Sequence, residues 1–363
     1  MKYLIKEIGI VITGTTPSTK NKLNYNSNDY MFITPGDLKS QRYLKTSINH
    51  ISNVAYNTEQ TRHLNCNDIV IDCIGADMGN VGVITKECIS NQQINAITNI
   101  NDNIVLSLYL YYLLSTKKKY LHTIGNNGAT MPIINKSMFE NIELSIDDLT
   151  TQQHIVDTIG SVDDLIEKNE EIIDKIKTYG NNLFSTIDTS QCVDANSFIS
   201  FEKGIEIGSA NYYDKEIENS TPYIRVGNLL NNNYDTYCID NDYKKCNYDD
   251  ILIAFDGAPG RNSIGLKGVY SSGIYKVKCE EKNKGFIYFY INSKMCQNII
   301  KENSQGTTIL HASKSIKLLQ LPKINDLSLM EKFSNIYRHL IMYYKQQIIL
   351  KQLKQTLLSK YFD

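Results

Sequence analysis

The stretch that decides the fold is residues 152–184, QQHIVDTIGSVDDLIEKNEEIIDKIKTYGNNLF, in which apolar side chains recur every three or four positions. That spacing places them along one stripe of a long helix, with acidic and basic side chains on the other faces. At about 1.5 Å per residue the helix would be roughly 50 Å long. Because so narrow a stripe does not stabilise an isolated helix, the pattern predicts a partner helix of similar length.

A matching stretch lies near the C-terminus at residues 329–362, LMEKFSNIYRHLIMYYKQQIILKQLKQTLLSKYF. At one constant offset, Phe184 aligns with Phe362 and Asn169 with Gln347. If the two helices pair antiparallel, these two mid-helix amides should lie close together; exposure of both to water is an equally good interpretation. The predicted helix–helix interface consists of Ile155, Ile159, Val162, Ile166, Asn169, Ile173, Ile176, Leu340, Gln347, Leu350 and Leu357.

The parts of the chain that precede the two helices also resemble each other. Residues 68–84, DIVIDCIGADMGNVGVI, predict a strand, a glycine-rich turn and a second strand, and residues 250–266, DILIAFDGAPGRNSIGL, repeat that pattern. At an offset slightly larger than that of the helices, the alignment pairs Asp68 with Asp250, Gly75 with Gly257 and Asn80 with Asn262. The chain is therefore predicted to contain two copies of one unit, each a globular part followed by a long helix.

The repeat divides the chain into four predicted parts. These are a globular domain at 1–148, a long helix at 149–186, a second globular domain at 187–323 and a C-terminal long helix at 324–363. The fold class is predicted to be α+β, with two homologous domains joined by two long antiparallel helices that form a coiled-coil spacer. Repetition with so long a period is typical of a tandem duplication with pseudo-twofold character.

Length and composition limit the class of protein. A chain of 363 residues can contain two domains with sizeable cores. No apolar run approaches a membrane span and the N-terminus has no secretory signal pattern, so we expect a cytoplasmic location and no membrane partner. Eight cysteines without a Cys-x-x-Cys pair are typical of free thiols in a reducing compartment. The net charge of −1 excludes a uniformly basic nucleic-acid binder, so DNA contacts would need local patches.

The sequence contains none of the catalytic motifs that we considered. It has no Asn/Asp-Pro-Pro-aromatic motif of amino-methyltransferases, no GxGxxG and no GxxxxGK[ST]. The six histidines show no metal-ligand spacing. We therefore expect a chain that catalyses nothing and binds no metal.

Polar and basic residues concentrate in the predicted loops, and their side chains are of the types that contact phosphates and base edges. Asn and Gln can bond adenine through two hydrogen bonds, as Arg can bond guanine. For any single residue plain solvent exposure is the better explanation, so the argument depends on the group. The candidate DNA-binding residues are Thr16, Ser18, Lys20, Lys22, Lys39, Gln41, Arg42, Lys45, Arg62, Gln92, Arg225, Asn228, Arg261, Asn262, Lys267, Ser271, Gln305 and Thr307.

In the order of its motifs the chain resembles the specificity subunits of type I restriction-modification systems. The motifs are the turn GTTPS at 14–18, ITPGDL at 33–38, the glycine-rich strand–turn–strand, and Gln152-Gln153-x-Ile155 at the start of the long helix. The resemblance covers nearly the whole chain. The second half departs from it, because Gly208-Ser209-Ala210 replaces the Thr-Pro turn and Leu329-Met330-Glu331 replaces the glutamines.

The resemblance implies a mechanism. Each of two target-recognition domains would contact one half of a bipartite site in double-stranded DNA, and the helices would set the distance between the halves. Two modification (methyltransferase) subunits would dock on the chain and carry S-adenosylmethionine, and restriction (motor and nuclease) subunits would join them. The chain itself would bind no cofactor.

Two other classes of function stay open at this point. One is a specificity subunit that serves another methyltransferase-based phage-defence system. The other is a duplicated protein-binding module with no DNA role, which the missing export signal and the cysteine pattern disfavour. Binding of the purified chain to duplex DNA, with and without a methyltransferase partner, would distinguish the DNA-binding classes from the protein-binding one.

Overall fold

The computed structural model describes residues 1–39, 42–75, 77–126, 132–306, 310–324 and 326–362. The chain forms two compact units: unit 1 comprises Met1–Asp164 and Gln352–Asp363, and unit 2 comprises Leu165–Lys351. The boundary between the units falls inside both long helices, so each unit contains a part of each helix. The predicted boundaries at 148 and 323 instead follow the ends of the helices.

Unit 1 consists of short strands and helices around two main sheets and a two-stranded sheet formed by its first and last strands. Its strands are β1 (Lys2–Leu4), β2 (Ile10–Thr13), β3 (Tyr30–Ile33), β4 (Tyr43–Leu44), β5 (Asn49–Ile51), β6 (Ile69–Asp72), β7 (Val81–Ile84), β8 (Cys88–Ser90), β9 (Ile94–Thr98) and β10 (Glu143–Ser145). Its α-helices are α1 (Ile5–Ile8), α2 (Asn53–Thr58), α3 (Ser107–Thr116), α4 (Lys118–Gly125), α5 (Lys136–Glu140) and the first part of α6 (Leu149–Ser185). Short 3-10 helices occupy Lys22–Tyr25, Pro35–Leu38 and Gln60–Arg62.

The order of strands in unit 1 places several loops together. The larger sheet has the order β2-β9-β6-β7-β4 and the smaller one β5-β3-β8. Thr13 pairs with Asn95 and Asp72 pairs with Ile94, so β2 and β6 both end where β9 begins. β3 and β8 are parallel, and residues 91–93 join β8 to the start of β9. The carboxyl ends of β2, β3, β6 and β8 therefore lie at the same edge of unit 1.

Unit 2 contains the remaining elements. Its strands are β11 (Cys192–Asp194), β12 (Ser200–Lys203), β13 (Ser220–Ile224), β14 (Tyr237–Ile239), β15 (Lys245–Cys246), β16 (Ile251–Ala254), β17 (Asn262–Ser263), β18 (Gly268–Tyr270), β19 (Ile274–Lys278) and β20 (Gln320–Pro322). Its α-helices are α7 (Asn228–Asn231), α8 (Lys284–Asn292), α9 (Lys294–Glu302) and most of α10 (Leu327–Phe362). Short 3-10 helices occupy Ala195–Ser197, Ser209–Asn211, Glu281–Asn283 and Ser313–Leu318.

The strand order of unit 2 repeats that of unit 1. The sheet β12-β19-β16-β17 corresponds to β2-β9-β6-β7, and β14-β13-β18 corresponds to β5-β3-β8. The units differ at two sheet edges. β4 adds to β7 in unit 1, while β17 is the last strand of its sheet in unit 2, and β15 adds to β18 in unit 2, while β8 is the last strand of its sheet in unit 1. The mixed α and β fold and the predicted duplication are therefore visible in the topology.

Apolar strands and helices form the core of each unit. The strands β6 and β16 are buried along their whole length, as expected for the uninterrupted apolar runs IVI and ILIA. The helices α3 and α8 are apolar on nearly every face, and such helices belong in a core. Accordingly, α3 packs on β6 and β7, and α8 contacts α6 and α10 through Phe286. Among the described residues, no helix combines the length and apolar character that a membrane span requires.

The long helices α6 and α10 run antiparallel within each unit. In unit 1, His154 of α6 faces Tyr361 of α10, and further along α6 Asp163 binds Lys354 at 2.7 Å. In unit 2 the order is the same: residue 169 contacts residue 347, and residue 184 contacts residue 333. In both units the residue numbers along α10 fall as those along α6 rise.

The structure buries most of the predicted helix–helix interface. Ile155, Ile159, Val162, Ile166, Asn169, Ile173, Leu340, Gln347 and Leu350 are buried, and Ile176 and Leu357 are partly buried. Next to Leu357, the unpredicted Leu358 is the more deeply buried leucine.

The two mid-helix amides lie together in unit 2. Asn169 Nδ2 donates to Gln347 Oε1 at 2.7 Å and to the backbone oxygen of Tyr343 at 2.9 Å. Gln347 Nε2 in turn donates to Glu170 Oε1 at 2.6 Å. Asn169 Oδ1 is buried and has no hydrogen-bond partner among the described residues. A buried polar pair of this kind favours one register of the two helices at some cost in stability.

Candidate nucleic-acid interface

The loops that follow β2, β3, β6 and β8 form one surface of unit 1, which we call loop edge 1 (residues 14–18, 34–39, 73–75, 77–80 and 91–93). Hydrogen bonds join these loops. Thr16 Oγ1 donates to Gln92 Oε1 at 2.6 Å, and the backbone nitrogen of Cys73 donates to the oxygen of Gln93 at 2.9 Å. The surface therefore has a defined shape and presents side-chain and backbone polar groups together.

The equivalent surface of unit 2, loop edge 2, consists of residues 204–206, 225–227, 255–261 and 271–273. One hydrogen bond shows the equivalence of the two turns after β6 and β16. Gly75 N donates to Pro132 O at 3.0 Å, and Gly257 N donates to Leu310 O at 2.9 Å. Both glycines have positive φ angles, 85° and 79°, which glycine adopts at little cost.

The structure corrects the predicted start of the second repeat. Gly14 and Gly204 both donate their backbone N–H to the residue that opens the returning strand, Ile94 and Ile274 respectively. A Cβ atom would lie 2.1 Å from the oxygen of Asn91 at Gly14 and 2.3 Å from that of Ser271 at Gly204, so both positions require glycine. The counterpart of the Gly14 turn is therefore Gly204 and not Gly208, which lies in open space four residues later.

Several candidate DNA-binding residues lie on or beside the loop edges with exposed side chains. In unit 1 these are Thr16, Ser18, Lys39 and Gln92; in unit 2 they are Arg225 and Gln305. Two of the cations are already paired: Lys39 lies 2.7 Å from Asp77, and Arg225 lies 3.0 Å from Asp235. The first pairing raises the pKa of Lys39 and lowers the pKa of Asp77. Exposed pairs of this kind contribute little stability, so either cation can exchange its partner for a phosphate.

Two half-buried arginines lie at the loop edges, and each donates a hydrogen bond from its guanidinium to a backbone oxygen. Arg62 Nη1 donates to the oxygen of Thr13 at 2.8 Å, and Arg261 Nη1 donates to the oxygen of Val226 at 3.3 Å. These bonds fix the position of each side chain. They leave further donors of each guanidinium available to a ligand.

The structure contradicts the expected exposure of Asn228 and Ser271. Asn228 is 1% exposed, and its Oδ1 accepts a hydrogen bond from the backbone nitrogen of Arg225 at 2.7 Å. Ser271 is 8% exposed, and its backbone nitrogen donates to Ile224 O at 2.9 Å. Both residues are buried and stabilise the loop conformation through these hydrogen bonds, so their side chains are not presented at the surface.

Arg42 is likewise not an exposed loop residue. Its side chain is 4% exposed and is directed at helix α6, where it donates hydrogen bonds to Asp164 Oδ1 and, at 3.5 Å, to Gly160 O. It also donates to the hydroxyl of Tyr112 at 3.2 Å. The prediction that Arg42 contacts DNA is therefore wrong for this conformation, because its guanidinium is buried and bonded.

Arg42 belongs to a group that we call the ionic cluster: Arg42, Tyr112, Asp163, Asp164 and Lys354. The carboxylate of Asp163 is 5% exposed and lies 2.7 Å from Lys354 Nζ and 4.0 Å from Arg42 Nη1. Tyr112 donates its hydroxyl to Asp163 at 2.9 Å. Burial, together with the nearby Asp163 charge, raises the pKa of Tyr112. The cluster joins the segment that follows loop edge 1 to both long helices of unit 1.

The remaining candidates lie away from the loop edges or outside the described residues. Lys45 and Lys267 follow strands that run opposite to β6 and β16, so they lie at the other edge of their sheets. Lys20 and Lys22 lie further along the loop after β2, at its 3-10 helix. Asn262 Nδ2 donates at 3.2 Å both to Asn292 Oδ1 and to the backbone oxygen of Gly260, so this amide is already bonded within unit 2. Gln41 and Thr307 are not among the described residues.

Unit 2 also contains a polar cavity of about 390 Å³ beside the long helices. Its lining residues include Asp174, Asn232, Asn262, Asn292 and Gln347. Amides make up about a third of the lining, which also contains charged, aromatic and aliphatic side chains. Among the described residues, no group of three or more His, Cys, Asp or Glu side chains is placed to hold a metal ion.

Sequence reasoning missed one pair of residues at loop edge 2, Asp256 and His311. Their backbones form an isolated antiparallel bridge, and the equivalent bridge in unit 1 joins Ile74 and Ile133. The alignment of the two halves places ionisable side chains where the first half has isoleucines, but it does not indicate that the two side chains meet. No motif marks either residue.

Comparison with known proteins shows which family these features resemble. The family model described as the type I restriction modification DNA specificity domain matches residues 1–178. The specificity subunit of the type I restriction enzyme MjaIX from Methanocaldococcus jannaschii is 32% identical over 239 residues, which are 62% of this chain and 50% of that protein. The HindI specificity subunit from Haemophilus influenzae is 30% identical over 140 residues, 39% of this chain and 30% of that protein. The chain thus spans half or less of the curated relatives that it matches.

A solved structure matches the fold over its full length. The crystal structure of the type I restriction-modification system S subunit from M. genitalium has a TM-score of 0.60 at 17% identity, covering 100% of this chain and 96% of that chain. At this identity the likeness concerns the fold. It confirms the predicted mixed architecture.

Proposed function

We propose that the chain, which is similar to the specificity subunits of type I restriction-modification systems, recognises a bipartite target in double-stranded DNA and catalyses nothing itself. Loop edge 1 contacts one half of the target, and loop edge 2 contacts the other. The observation that carries the proposal is that the same backbone arrangement occurs twice, with different side chains at the surface of each copy.

The surface chemistry of the loop edges supports DNA as the ligand. Loop edge 1 combines amide and hydroxyl groups, which can bond base edges, with Lys39 in an exchangeable surface pair, and loop edge 2 presents Arg225 in such a pair together with Arg261. Phosphate contacts would position the duplex, and contacts such as those of Gln92 and Arg261 would specify sequence. A net charge of −1 fits local contact of this kind better than general binding along DNA.

The long helices have a separate role in the proposal. Their antiparallel pairing in each unit, with a buried amide pair that fixes the register, suits a spacer of constant length. Two modification subunits dock on the chain and supply S-adenosylmethionine and the methylation chemistry. Restriction subunits complete the assembly.

Methylation-site sequencing of a host with and without this gene tests the proposal. The chain should add one bipartite methylated motif. In the assembled enzyme, Gln92→Ala should relax one half of that motif and Arg261→Ala the other, each by about 1–3 kcal/mol at one base pair. Lys267→Ala removes a cation from the other edge of the unit 2 sheet and serves as the control. If either loop-edge variant relaxes both halves equally, the assignment of one half-site to each unit is wrong.

A further inference from the structure

The side chains of Asp256 and His311 meet at loop edge 2. His311 Nδ1 lies 2.8 Å from Asp256 Oδ1, and the imidazole is 61% exposed while the carboxylate is only 20% exposed. Two backbone bonds between His311 and Gln305, of 2.8 and 2.9 Å, fix the segment that carries the ring. The ring is therefore held from one side and open to solvent on the other.

The partner of Nδ1 determines what the other ring nitrogen can do. An ionised carboxylate only accepts hydrogen bonds, so Nδ1 carries the proton in the Asp256–His311 bond. Lys203 Nζ lies 3.9 Å from the other oxygen, Oδ2, so a cation also faces the carboxylate. In the neutral ring Nε2 then has a free lone pair and acts as an acceptor.

In its neutral form the ring presents an acceptor, which excludes one kind of DNA contact and fits another. Phosphate oxygens also only accept, so a neutral Nε2 cannot bond them. In the major groove, adenine N6 and cytosine N4 are donors, whereas guanine and thymine present acceptors. The matching ligand of the ring is the exocyclic amine of an adenine or a cytosine.

We propose that His311 contacts the amine of an adenine or cytosine in the half-site recognised by unit 2, and that Asp256 is a positioning residue that orients the ring. This inference depends on the proposed function and adds a specificity-determining residue to it. In unit 1 the same backbone bridge presents Ile74 and Ile133, so the equivalent acceptor is absent from the described part of that loop edge. The two units thus differ in chemistry at matched backbone positions.

A coupling experiment on the assembled enzyme tests the inference. Each adenine of the second half-site is replaced by purine and each cytosine by 2-pyrimidinone, which removes the exocyclic amine, and binding is measured for the native chain and for His311→Ala. At one position, loss of the amine should weaken native binding roughly 5- to 30-fold and should not weaken binding by His311→Ala further. Asp256→Ala, which frees the ring, should reduce the coupling at the same position.

Controls separate this inference from the proposed function. His339→Ala changes the same residue type on an exposed part of α10, and the coupling should persist in it. Thermal unfolding of each variant shows whether it is folded, and His311→Gln offers a second variant if alanine disrupts the loop. A native complex that shows both half-sites but no coupling at any position overturns the role of His311 alone. A native complex without any sequence preference overturns the proposed function.

Discussion

The two units differ in the side chains that they place at aligned positions of the long helices: charged in unit 1 and apolar in unit 2. At the offset that aligns Phe184 with Phe362, Asp163 of unit 1 aligns with Ile341 of unit 2, and Lys354 of unit 1 aligns with Ile176 of unit 2. In unit 1 the two residues form a buried ion pair. In unit 2 both isoleucines belong to one apolar cluster.

The comparison shows that one fold accepts either a polar or an apolar interface at this position. An apolar contact gains stability from each side chain separately, by removing its surface from water. A buried ion pair is favourable only while all of its partners are present, since removal from water costs each charge several kcal/mol. The ionic cluster of unit 1 should therefore tolerate single substitutions worse than its apolar counterpart.

The largest expected effect comes from breaking the ionic cluster. Asp163→Ala leaves Lys354 and Arg42 short of a buried anion, and we expect a loss of about 3–5 kcal/mol in the free energy of unfolding of unit 1. At the aligned position of unit 2, removing a single methyl group with Ile341→Val should cost only about 0.5–1.5 kcal/mol, because no buried charge loses its partner. Urea unfolding of the three proteins measures both differences.

Replacing the whole cluster sharpens the same comparison. The triple variant Arg42→Met, Asp163→Leu, Lys354→Met removes every buried charge and should regain most of what Asp163→Ala loses. A triple variant as unstable as the single one would contradict this account of the cluster.

A second comparison concerns Asp68 and Asp250, which make the same bond to a backbone nitrogen three residues earlier, at 2.7 and 2.8 Å. Asp250 lies within 4.0 Å of Lys276 and Lys284, whereas among the described residues no cation pairs with Asp68. Burial raises the pKa of Asp68 to about 6. The aligned carboxylates thus differ in their surroundings: Asp250 lies near two lysines in unit 2, whereas the pKa of Asp68 is raised in unit 1.

The raised pKa of Asp68 predicts a dependence of stability on pH. The folded state binds this proton more tightly than the unfolded state, whose aspartate pKa is about 3.9. Stability should therefore fall as the pH rises from about 4 to about 6 and stay lower above that range. Asp68→Asn should remove this component and stabilise the protein by about 2 kcal/mol at neutral pH and by nothing below pH 4 or so. Denaturation of both proteins at a series of pH values measures this difference in stability. An Asp68→Asn variant that is less stable than the native chain at neutral pH would contradict the prediction.

The smallest expected effect distinguishes two aligned tyrosines, Tyr112 and Tyr290. The hydroxyl of Tyr112 bonds Asp163 and Arg42, whereas that of Tyr290 is buried without a hydrogen-bond partner of normal geometry among the described residues and faces the weakly polar Cys296 thiol. Tyr112→Phe should cost about 1–2 kcal/mol, and Tyr290→Phe should be neutral or slightly stabilising. Urea unfolding of the two variants measures both changes in the free energy of unfolding. Equal losses of stability would contradict the difference between the two hydroxyl environments.

The parts of this structure that follow from local periodicity could be predicted from the sequence. The stripes of α6 and α10 and their equivalence follow from residue spacing along helices, whereas the proximity of Asn169 to Gln347 was one of two equally good interpretations until the structure confirmed it. The strand–turn–strand repeats follow from β-branched runs and glycine positions. These patterns were sufficient for the fold class.

The parts that depend on contacts distant in sequence could not be predicted. Arg42 reaches Asp164, which is 122 residues away, and nothing local distinguishes it from an exposed loop arginine. Gly204, the true counterpart of Gly14, was hidden because the offset between the halves is larger there than along the helices or the strand–turn–strand segments. Asp256 and His311 are brought together by a backbone bridge that spans 55 residues.

The central claim is that the paired helices set the distance between two half-sites, and a matched insertion tests it most directly. Four residues are inserted after Glu171 in α6 and four after Tyr344 in α10, so that Asn169 still faces Gln347. Each helix lengthens by about 6 Å, close to two base-pair steps of roughly 3.4 Å. Methylation-site sequencing of the assembled variant should show both half-sites unchanged and the gap between them longer by one or two base pairs. An active variant that keeps the original gap would contradict the claim.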